Sequence, residues 1–108
     1  MSQAPQTTVD ELQKLRAAGG VCTVLDVRED WEVAVARLPE CVHIPMGEIP
    51  GRLKELDTRS AIIVMCKVGG RSQMVADFLL AHGFSRVSNL QGGIDAWRAR
   101  IEPALPSY

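Results

Sequence analysis

Short apolar runs alternate along the chain with segments in which apolar residues recur at helical spacing. The runs predict strands at residues 21–27, 43–45, 61–65 and 87–90, with a short edge strand at 7–8. The helical segments are residues 9–15, 29–36, 46–56, 72–80 and 94–100. The run at 61–65 is apolar without interruption, as in strands buried on both faces of a parallel sheet. This alternation predicts an α/β fold, with crossover helices joining parallel strands.

Glycine and proline mark where several of these elements end. The first helix is expected to stop at Gly19 and Gly20, and Pro50 with the following glycine interrupts the segment 46–56. Gly83 is expected to end the helix 72–80 in a left-handed conformation, with Phe84 folding back onto its last turn.

The composition describes one compact domain. The chain has 108 residues, 46% of them hydrophobic, which is enough for one modest core. We therefore expect a single domain over residues 1–108, with irregular tails at 1–6 and 102–108. No apolar run approaches the ~20 residues that span a bilayer, and the first residues lack the pattern of a signal peptide. A cytoplasmic location is the expectation.

Charge and cysteine content narrow the classes of function. The net charge of −1 gives no general attraction to nucleic acid or to an anionic membrane, so neither partner is expected. The cysteines are Cys22, Cys41 and Cys66, an odd number without CxxC pairs or histidines at zinc spacing. Neither a disulfide framework nor a metal site is expected, and at least one thiol is free to react.

The segment at residues 66–72, Cys-Lys-Val-Gly-Gly-Arg-Ser, joins the most apolar strand to the helix that follows it. Open α/β sheets bind ligands where strand carboxyl ends meet helix amino ends. Gly69 and Gly70 let backbone N–H groups turn inward, and the helix adds its positive dipole end. The segment therefore predicts a cup that favours an anion and stabilises a thiolate at Cys66.

Two cations flank this thiol, and they add to the same prediction. Lys67 and Arg71 are expected to lower the pKa of Cys66 and to make it nucleophilic at neutral pH. Ser72 opens the helix, where its hydroxyl either caps an N–H group or contacts bound sulfur. The structural alternative for Cys66 is a buried, inert cysteine that merely ends a core strand.

The spacing within the loop bears on which anion it holds. Cysteine enzymes that transfer phosphate use a comparable cradle in which five residues separate the cysteine from an arginine. Here only four residues separate Cys66 from Arg71. A tighter ring suits a sulfur atom attached to the cysteine better than a whole phosphate group.

Four motifs, in order along the chain, resemble the rhodanese family. The loop 66–72 is similar to the family's active-site loop of the thiosulfate-using kind, Cys-x-x-Gly-x-Arg. Leu-Asp-Val-Arg at 25–28 resembles its strand-end motif, and Gly-Phe at 83–84 with Val87 its later helix-to-strand turn. Leu-Gln-Gly-Gly-Ile-Asp-Ala-Trp at 90–97 resembles its closing segment.

The resemblance implies a fold and a site. It implies a five-stranded parallel sheet with helices on both faces, with Cys66 as the nucleophile and Arg71 as a catalytic anion contact. The residues implied to bind substrate, mostly through their amides around a persulfide, are Lys67, Val68, Gly69, Gly70 and Ser72.

The function that follows is that of a thiosulfate sulfurtransferase. Cys66 takes a sulfane sulfur from an anionic donor such as thiosulfate and passes it from a persulfide to cyanide or to a thiol, protein thiols included. This double displacement predicts ping-pong kinetics. No metal or organic cofactor is expected, because the cysteine itself carries the sulfur.

Other interpretations remain open at this stage. Asp26 and Arg28 leave a strand at the same edge as Cys66, where they either line the site or, as we favour, pin neighbouring loops. Cys41 is interpreted as a buried residue, with a resolving thiol for Cys66 as the alternative. The whole chain could instead be a non-catalytic binding module, or a cysteine phosphatase or arsenate reductase.

Overall fold

The computed structural model describes residues 3–108 and contains one five-stranded sheet. Its strands run in the spatial order β1-β5-β4-β2-β3, and every neighbouring pair is parallel. The strands are β1 (Gln6–Thr7), β2 (Thr23–Asp26), β3 (Cys41–His43), β4 (Ile62–Met65) and β5 (Val87–Leu90). The predicted α/β class and the five-stranded parallel sheet are confirmed.

Within the described residues, four α-helices connect and cover these strands. They are α1 (Val9–Ala17), α2 (Asp30–Val35), α3 (Gly70–Ala81) and α4 (Gly93–Arg100). Thr8 caps α1: its hydroxyl accepts from the backbone of Glu11, whose carboxylate accepts from the backbone of Thr8. Gly83 has a φ of 93°, and the Phe84 N–H bonds to the Leu79 carbonyl, as the turn at the end of α3 predicts.

The sheet has an apolar cluster on each face. Alternate residues of a strand point to opposite faces, and Val64 of β4 packs on the side of α3 while Ile63 and Met65 pack on the side of α1 and α4. All four residues of β4 are buried, since helices cover both faces of this central strand. The helices therefore lie on both sides of the sheet.

Several predicted boundaries differ from the structure. The strand predicted at 21–27 begins only at Thr23, and Val21 is 92% exposed. The helix predicted at 46–56 is instead two 3-10 helices, Met46–Glu48 and Pro50–Glu55, because Pro50 has no N–H to continue an α-helical ladder.

The N-terminal end of the described chain departs from the predicted irregular tail. Gln6, placed in the tail 1–6, begins β1, whereas residues 1 and 2 lie outside the described part of the chain. Residues 102–108 contain turns and bends but no helix or strand. Among residues 3–108, no helix has the length and apolar character required to cross a membrane.

The topology brings two chemically important strand ends together. Asp26 ends β2 and is the register partner of Met65, which ends β4. Cys66 follows Met65 directly, so the thiol leaves the sheet at its carboxyl edge, next to the segment that follows Asp26. This is the edge at which open parallel sheets bind ligands.

Candidate active site

Backbone and side-chain donors surround the sulfur of Cys66. Its Sγ accepts hydrogen bonds from the N–H of Gly69 at 3.1 Å, from the N–H of Ser72 at 3.4 Å and from the hydroxyl of Ser72 at 3.2 Å. Gly69 makes this possible because its φ of 113° lies in a region that other residues rarely adopt. The chain thereby curls around the sulfur before α3 begins.

The Cys66 thiol is buried, and hydrogen-bond donors surround it. Cys66 is 1% exposed. Burial by itself raises the pKa of the Cys66 thiol, but the hydrogen bonds from Ser72 and from the loop amides outweigh it, and the pKa lies below its ordinary value. The arrangement therefore stabilises the thiolate, as the Gly-rich loop predicts.

Asn89 of β5 forms hydrogen bonds to two residues of this loop. Its side-chain amide donates to the carbonyl of Gly69 at 3.2 Å, and its oxygen accepts from the Ser72 hydroxyl at 2.5 Å. The Ser72 hydroxyl carries one proton and so has two competing acceptors, Asn89 and the sulfur of Cys66. A charged sulfur is the stronger acceptor, which favours the bond to sulfur once the thiolate forms.

The start of α4 supports the other side of the loop. The N–H of Ile94 donates to the carbonyl of Cys66 at 3.0 Å, and the N–H of Asp95 donates to the carbonyl of Lys67 at 3.1 Å. The orphan amides at a helix start thus hold the backbone of the loop in place.

Both cations of the loop form ion pairs with carboxylates. Arg71 makes two bonds to Glu32 of α2, with Nη1 at 2.6 Å and Nη2 at 2.9 Å from the carboxylate oxygens. The Lys67 ammonium lies 2.8 Å from Asp95 of α4. Hydrogen bonding to Arg71 lowers the pKa of Glu32 to about 2, so this carboxylate is charged at neutral pH.

The last residue of the chain returns to this site. The Tyr108 hydroxyl donates to Glu32 at 2.6 Å and accepts from Arg28 at 3.0 Å. The Lys67 ammonium lies 5.3 Å from the centre of the Tyr108 ring, within range of a cation–π interaction. The Tyr108 ring also meets Trp31 edge to face, with 5.2 Å between ring centres.

Asp26 and Arg28 form a buried pair that holds loops together. Both are buried, and Arg28 Nη2 lies 2.7 Å from Asp26 Oδ2. The same guanidinium donates to the carbonyl of Ala36 at 2.8 Å, beyond the end of α2. These contacts join the end of β2 to the segment after α2, and the loop-pinning role favoured from the sequence stays a prediction.

The other two thiols lie elsewhere. Cys22 is partly buried just before β2. Cys41 pairs in register with Val24, which pairs with Ile63, three residues before Cys66. Strand spacing and rise then put the Cα atoms of Cys41 and Cys66 roughly 14 Å apart. A disulfide needs about 7 Å or less, so the resolving-thiol alternative has no geometric support. Burial raises the pKa of Cys41 to about 11.

The outer surface of the loop includes exposed apolar side chains. Val68 is 62% exposed and Trp31 is 60% exposed. Trp31 adjoins the site through Tyr108.

The sequence identified the loop but missed its supports. The structure brings Cys66, Lys67, Val68, Gly69, Gly70, Arg71 and Ser72 together, with Asp26 and Arg28 close by in the sheet edge. The residues not identified from the sequence are Glu32, Asn89, Gly93, Asp95 and Tyr108. Glu32 caps the start of α2 together with Glu29, a local role that does not indicate its bond to Arg71.

Comparison with known proteins gives a consistent family. The family model described as "Rhodanese-like domain" matches residues 8–100. The putative sulfurtransferase YtwF of Bacillus subtilis (strain 168) is 41% identical over 80 residues, which are 74% of this chain and 77% of that protein. The thiosulfate sulfurtransferase GlpE of Pseudomonas syringae pv. syringae (strain B728a) is 31% identical over 98 residues, 91% of each chain.

A solved structure agrees with these relatives. The crystal structure of a rhodanese-like domain protein from Staphylococcus aureus superposes with a TM-score of 0.84 at 30% identity, covering 96% of this chain and 98% of the other. Some curated relatives are longer, and this chain spans only 30% of the length of one of them.

Proposed function

The chain belongs to the rhodanese-like domain family, and on that premise we propose that it moves a sulfane sulfur through a persulfide on Cys66. Its relatives are named as sulfurtransferases, which supports the general class of reaction. The donor is an anionic sulfur compound such as thiosulfate, and the acceptor is cyanide or a thiol, including thiols of proteins.

In the first half-reaction, the Cys66 thiolate attacks the outer sulfur of the donor. For thiosulfate, a bond forms between Sγ and that sulfur, the bond between the two sulfur atoms of thiosulfate breaks, and sulfite leaves with the electron pair. The product is a Cys66 persulfide anion. The amides of Gly69 and Ser72 stabilise the attacking thiolate, and the loop amides from Lys67 to Ser72 cradle the outer sulfur.

In the second half-reaction, the acceptor attacks the outer sulfur of the persulfide. The bond between the two sulfur atoms breaks, and its electron pair returns to Sγ as the thiolate. With cyanide the product is thiocyanate, and with a thiol it is a new persulfide. Lys67 and Arg71 are proposed to contact the anionic part of a donor or of its leaving group while they remain paired with their carboxylate partners.

The single observation that carries this proposal is the set of donors on one sulfur. The thiol of Cys66 is enclosed, yet its sulfur accepts from Gly69 and Ser72, and its pKa is lowered. An inert core cysteine would have no reason to lie among three donors. The short spacing to Arg71 argues against a phosphatase cradle.

Intact-protein mass spectrometry tests the proposal. After incubation with excess thiosulfate, the protein is expected to gain one sulfur atom and to lose it when cyanide is added. Cys66→Ser is expected to gain nothing, whereas Cys41→Ser, the matched control, is expected to load normally. An unchanged mass of the wild-type protein with thiosulfate and with inorganic polysulfide, together with hydrolysis of an aryl phosphate, would favour a phosphatase instead.

Two further expectations belong to the same proposal. We take residues 1–108 as one rhodanese-like domain that carries the complete set of sulfur-binding groups. We also take the reducing cytoplasm as its compartment, since a free thiolate nucleophile requires reducing conditions.

A further inference from the structure

Each cation of the Cys66 loop, Lys67 or Arg71, forms an ion pair with a carboxylate. Arg71 meets Glu32 through two parallel bonds, the arrangement in which an arginine and a carboxylate bind most strongly. Lys67 meets Asp95 at 2.8 Å. The positive charge expected to attract a donor is therefore largely cancelled at both positions.

The pair between Arg71 and Glu32 is built into the fold rather than resting on the surface. Glu32 is buried, and its carboxylate also accepts from the Tyr108 hydroxyl at 2.6 Å and from the N–H of Glu29 at 2.9 Å. Four donors thus fix the carboxylate, so a donor anion cannot capture Arg71 simply by displacing a mobile side chain.

The pair between Lys67 and Asp95 is fixed in a similar way. Asp95 also accepts from Arg98 at 2.8 Å, and Arg98 is held by the carbonyl groups of Leu105 and Pro106. The Lys67 ammonium in turn faces the Tyr108 ring. Both carboxylates consequently stay beside the site whether or not a donor is bound.

We infer that Glu32 and Asp95 are specificity-determining residues that select organic persulfides over thiosulfate as sulfur donors. Thiosulfate is a dianion and its reaction expels sulfite, a second multiply charged anion, past two fixed carboxylates. An organic persulfide brings less negative charge to the reacting sulfur atoms. The exposed side chains of Val68 and Trp31 offer its organic part an apolar surface. This inference rests on the function proposed above.

The reaction with such a donor is balanced without any additional reagent. The Cys66 thiolate attacks the terminal sulfur of R–S–SH, a new bond forms between Sγ and that sulfur, and the original bond between the two sulfur atoms breaks. The thiolate R–S⁻ leaves with the electron pair and Cys66 becomes Cys–S–SH. No atom is oxidised or reduced overall, because the sulfane sulfur moves between two equivalent partners.

Two variants test the inference independently. Glu32→Gln and Asp95→Asn each remove one carboxylate charge while keeping its shape, and each releases a different cation. The measurement is the second-order rate constant of Cys66 sulfuration, followed by mass spectrometry, with thiosulfate and with glutathione persulfide as the two donors. The ratio of the two rate constants, persulfide over thiosulfate, is the quantity compared.

The wild-type protein is expected to have a ratio well above one. Each variant is expected to lower this ratio by about tenfold, because it reacts faster with thiosulfate. An effect of this size is reasonable for the removal of one partly screened unit charge. Asp57→Asn is the control: it also removes one negative charge, but Asp57 pairs with Arg59 in the segment before β4, at the opposite end of that strand from Cys66. Its ratio is expected to equal that of the wild type.

The outcomes separate this inference from the proposed function. If wild-type Cys66 accepts sulfur from neither donor, the proposed function fails. If Cys66 accepts sulfur but the wild type prefers thiosulfate, only the donor selection is overturned. The same conclusion follows if the ratio is unchanged in Asp95→Asn and in folded Glu32→Gln. Thermal unfolding identifies a variant that fails to fold, and Asp95, being partly exposed, still provides the test if Glu32→Gln is unstable.

Discussion

Gly93 lies directly against the backbone of Lys67: a Cβ atom at position 93 would be 2.5 Å from the Lys67 carbonyl oxygen. It would lie closer still to the carbonyl oxygen of Cys66. The backbone of Gly93 also has a φ of 57°, in the left-handed region. The closing helix can approach the Cys66 loop, and bond to its carbonyl groups, only because position 93 has no side chain.

Gly93→Ala is therefore expected to displace the Cys66 loop as well as to destabilise the fold. Left-handed strain and a backbone collision together are expected to cost at least about 2 kcal/mol of unfolding free energy. Sulfur loading of Cys66 is expected to fall further than stability alone explains. Urea denaturation and mass spectrometry provide the two measurements. Gly51→Ala, where nothing lies within 4 Å of the added Cβ, is the control and is expected to remain within about 0.5 kcal/mol.

The sequence allowed the position of Cys66 to be predicted because local signals agree there. A continuous apolar strand, two glycines and an amphipathic helix place the thiol at the carboxyl edge of a parallel sheet, and the structure confirms that placement. The αL conformation of Gly69 was foreseeable for the same reason, since adjacent glycines are typical of a sharply curled loop.

The partners of the two loop cations could not be predicted, because they depend on tertiary packing. Glu32 reaches Arg71 from 39 positions away, and Tyr108 reaches Glu32 from 76. Nothing local distinguishes a glutamate that will bind an arginine from one that faces water. The expectation of irregular structure at 102–108 gave no indication that the Tyr108 side chain contacts the site.

Ser72→Ala is expected to raise the pKa of Cys66. Burial already opposes the thiolate, and removing the Ser72 hydroxyl takes away one of the bonds that outweigh burial, so the thiolate becomes less favourable. Thiolate absorbance measured against pH, with the matching Cys66→Ser protein subtracted, isolates this thiol. Ser88→Ala, which removes a hydroxyl bonded to Thr7 instead, should leave the titration unchanged. An identical titration curve in Ser72→Ala would show that the hydroxyl does not act on the sulfur.

Asp26→Asn is expected to be among the most destabilising single changes. Arg28 is fully buried, and its charge would remain in the interior without its carboxylate partner. Removing one partner of such a pair costs about 3–5 kcal/mol. Asp57→Asn is the comparison: its pair with Arg59 is largely exposed and should have a much smaller effect. Equal urea midpoints for the two variants would contradict the loop-pinning role of Asp26 and Arg28.

The acid sensitivity of the fold should depend measurably on Glu32. Hydrogen bonding to Arg71 lowers its pKa from 4.5 to about 2 in the folded protein, so the unfolded chain binds the proton first as the pH falls. Stability from this residue is therefore complete above about pH 4.5 and is lost toward pH 2, a change on the order of 2 kcal/mol. Glu32→Gln should show a shallower decline in unfolding free energy across that window, measured by urea denaturation at several pH values. Glu55→Gln, which removes an exposed carboxylate that pairs with Arg52, should retain nearly the wild-type slope. If Glu32→Gln and the wild type lose stability in parallel, the folded protein does not hold this carboxylate charged through its bond to Arg71.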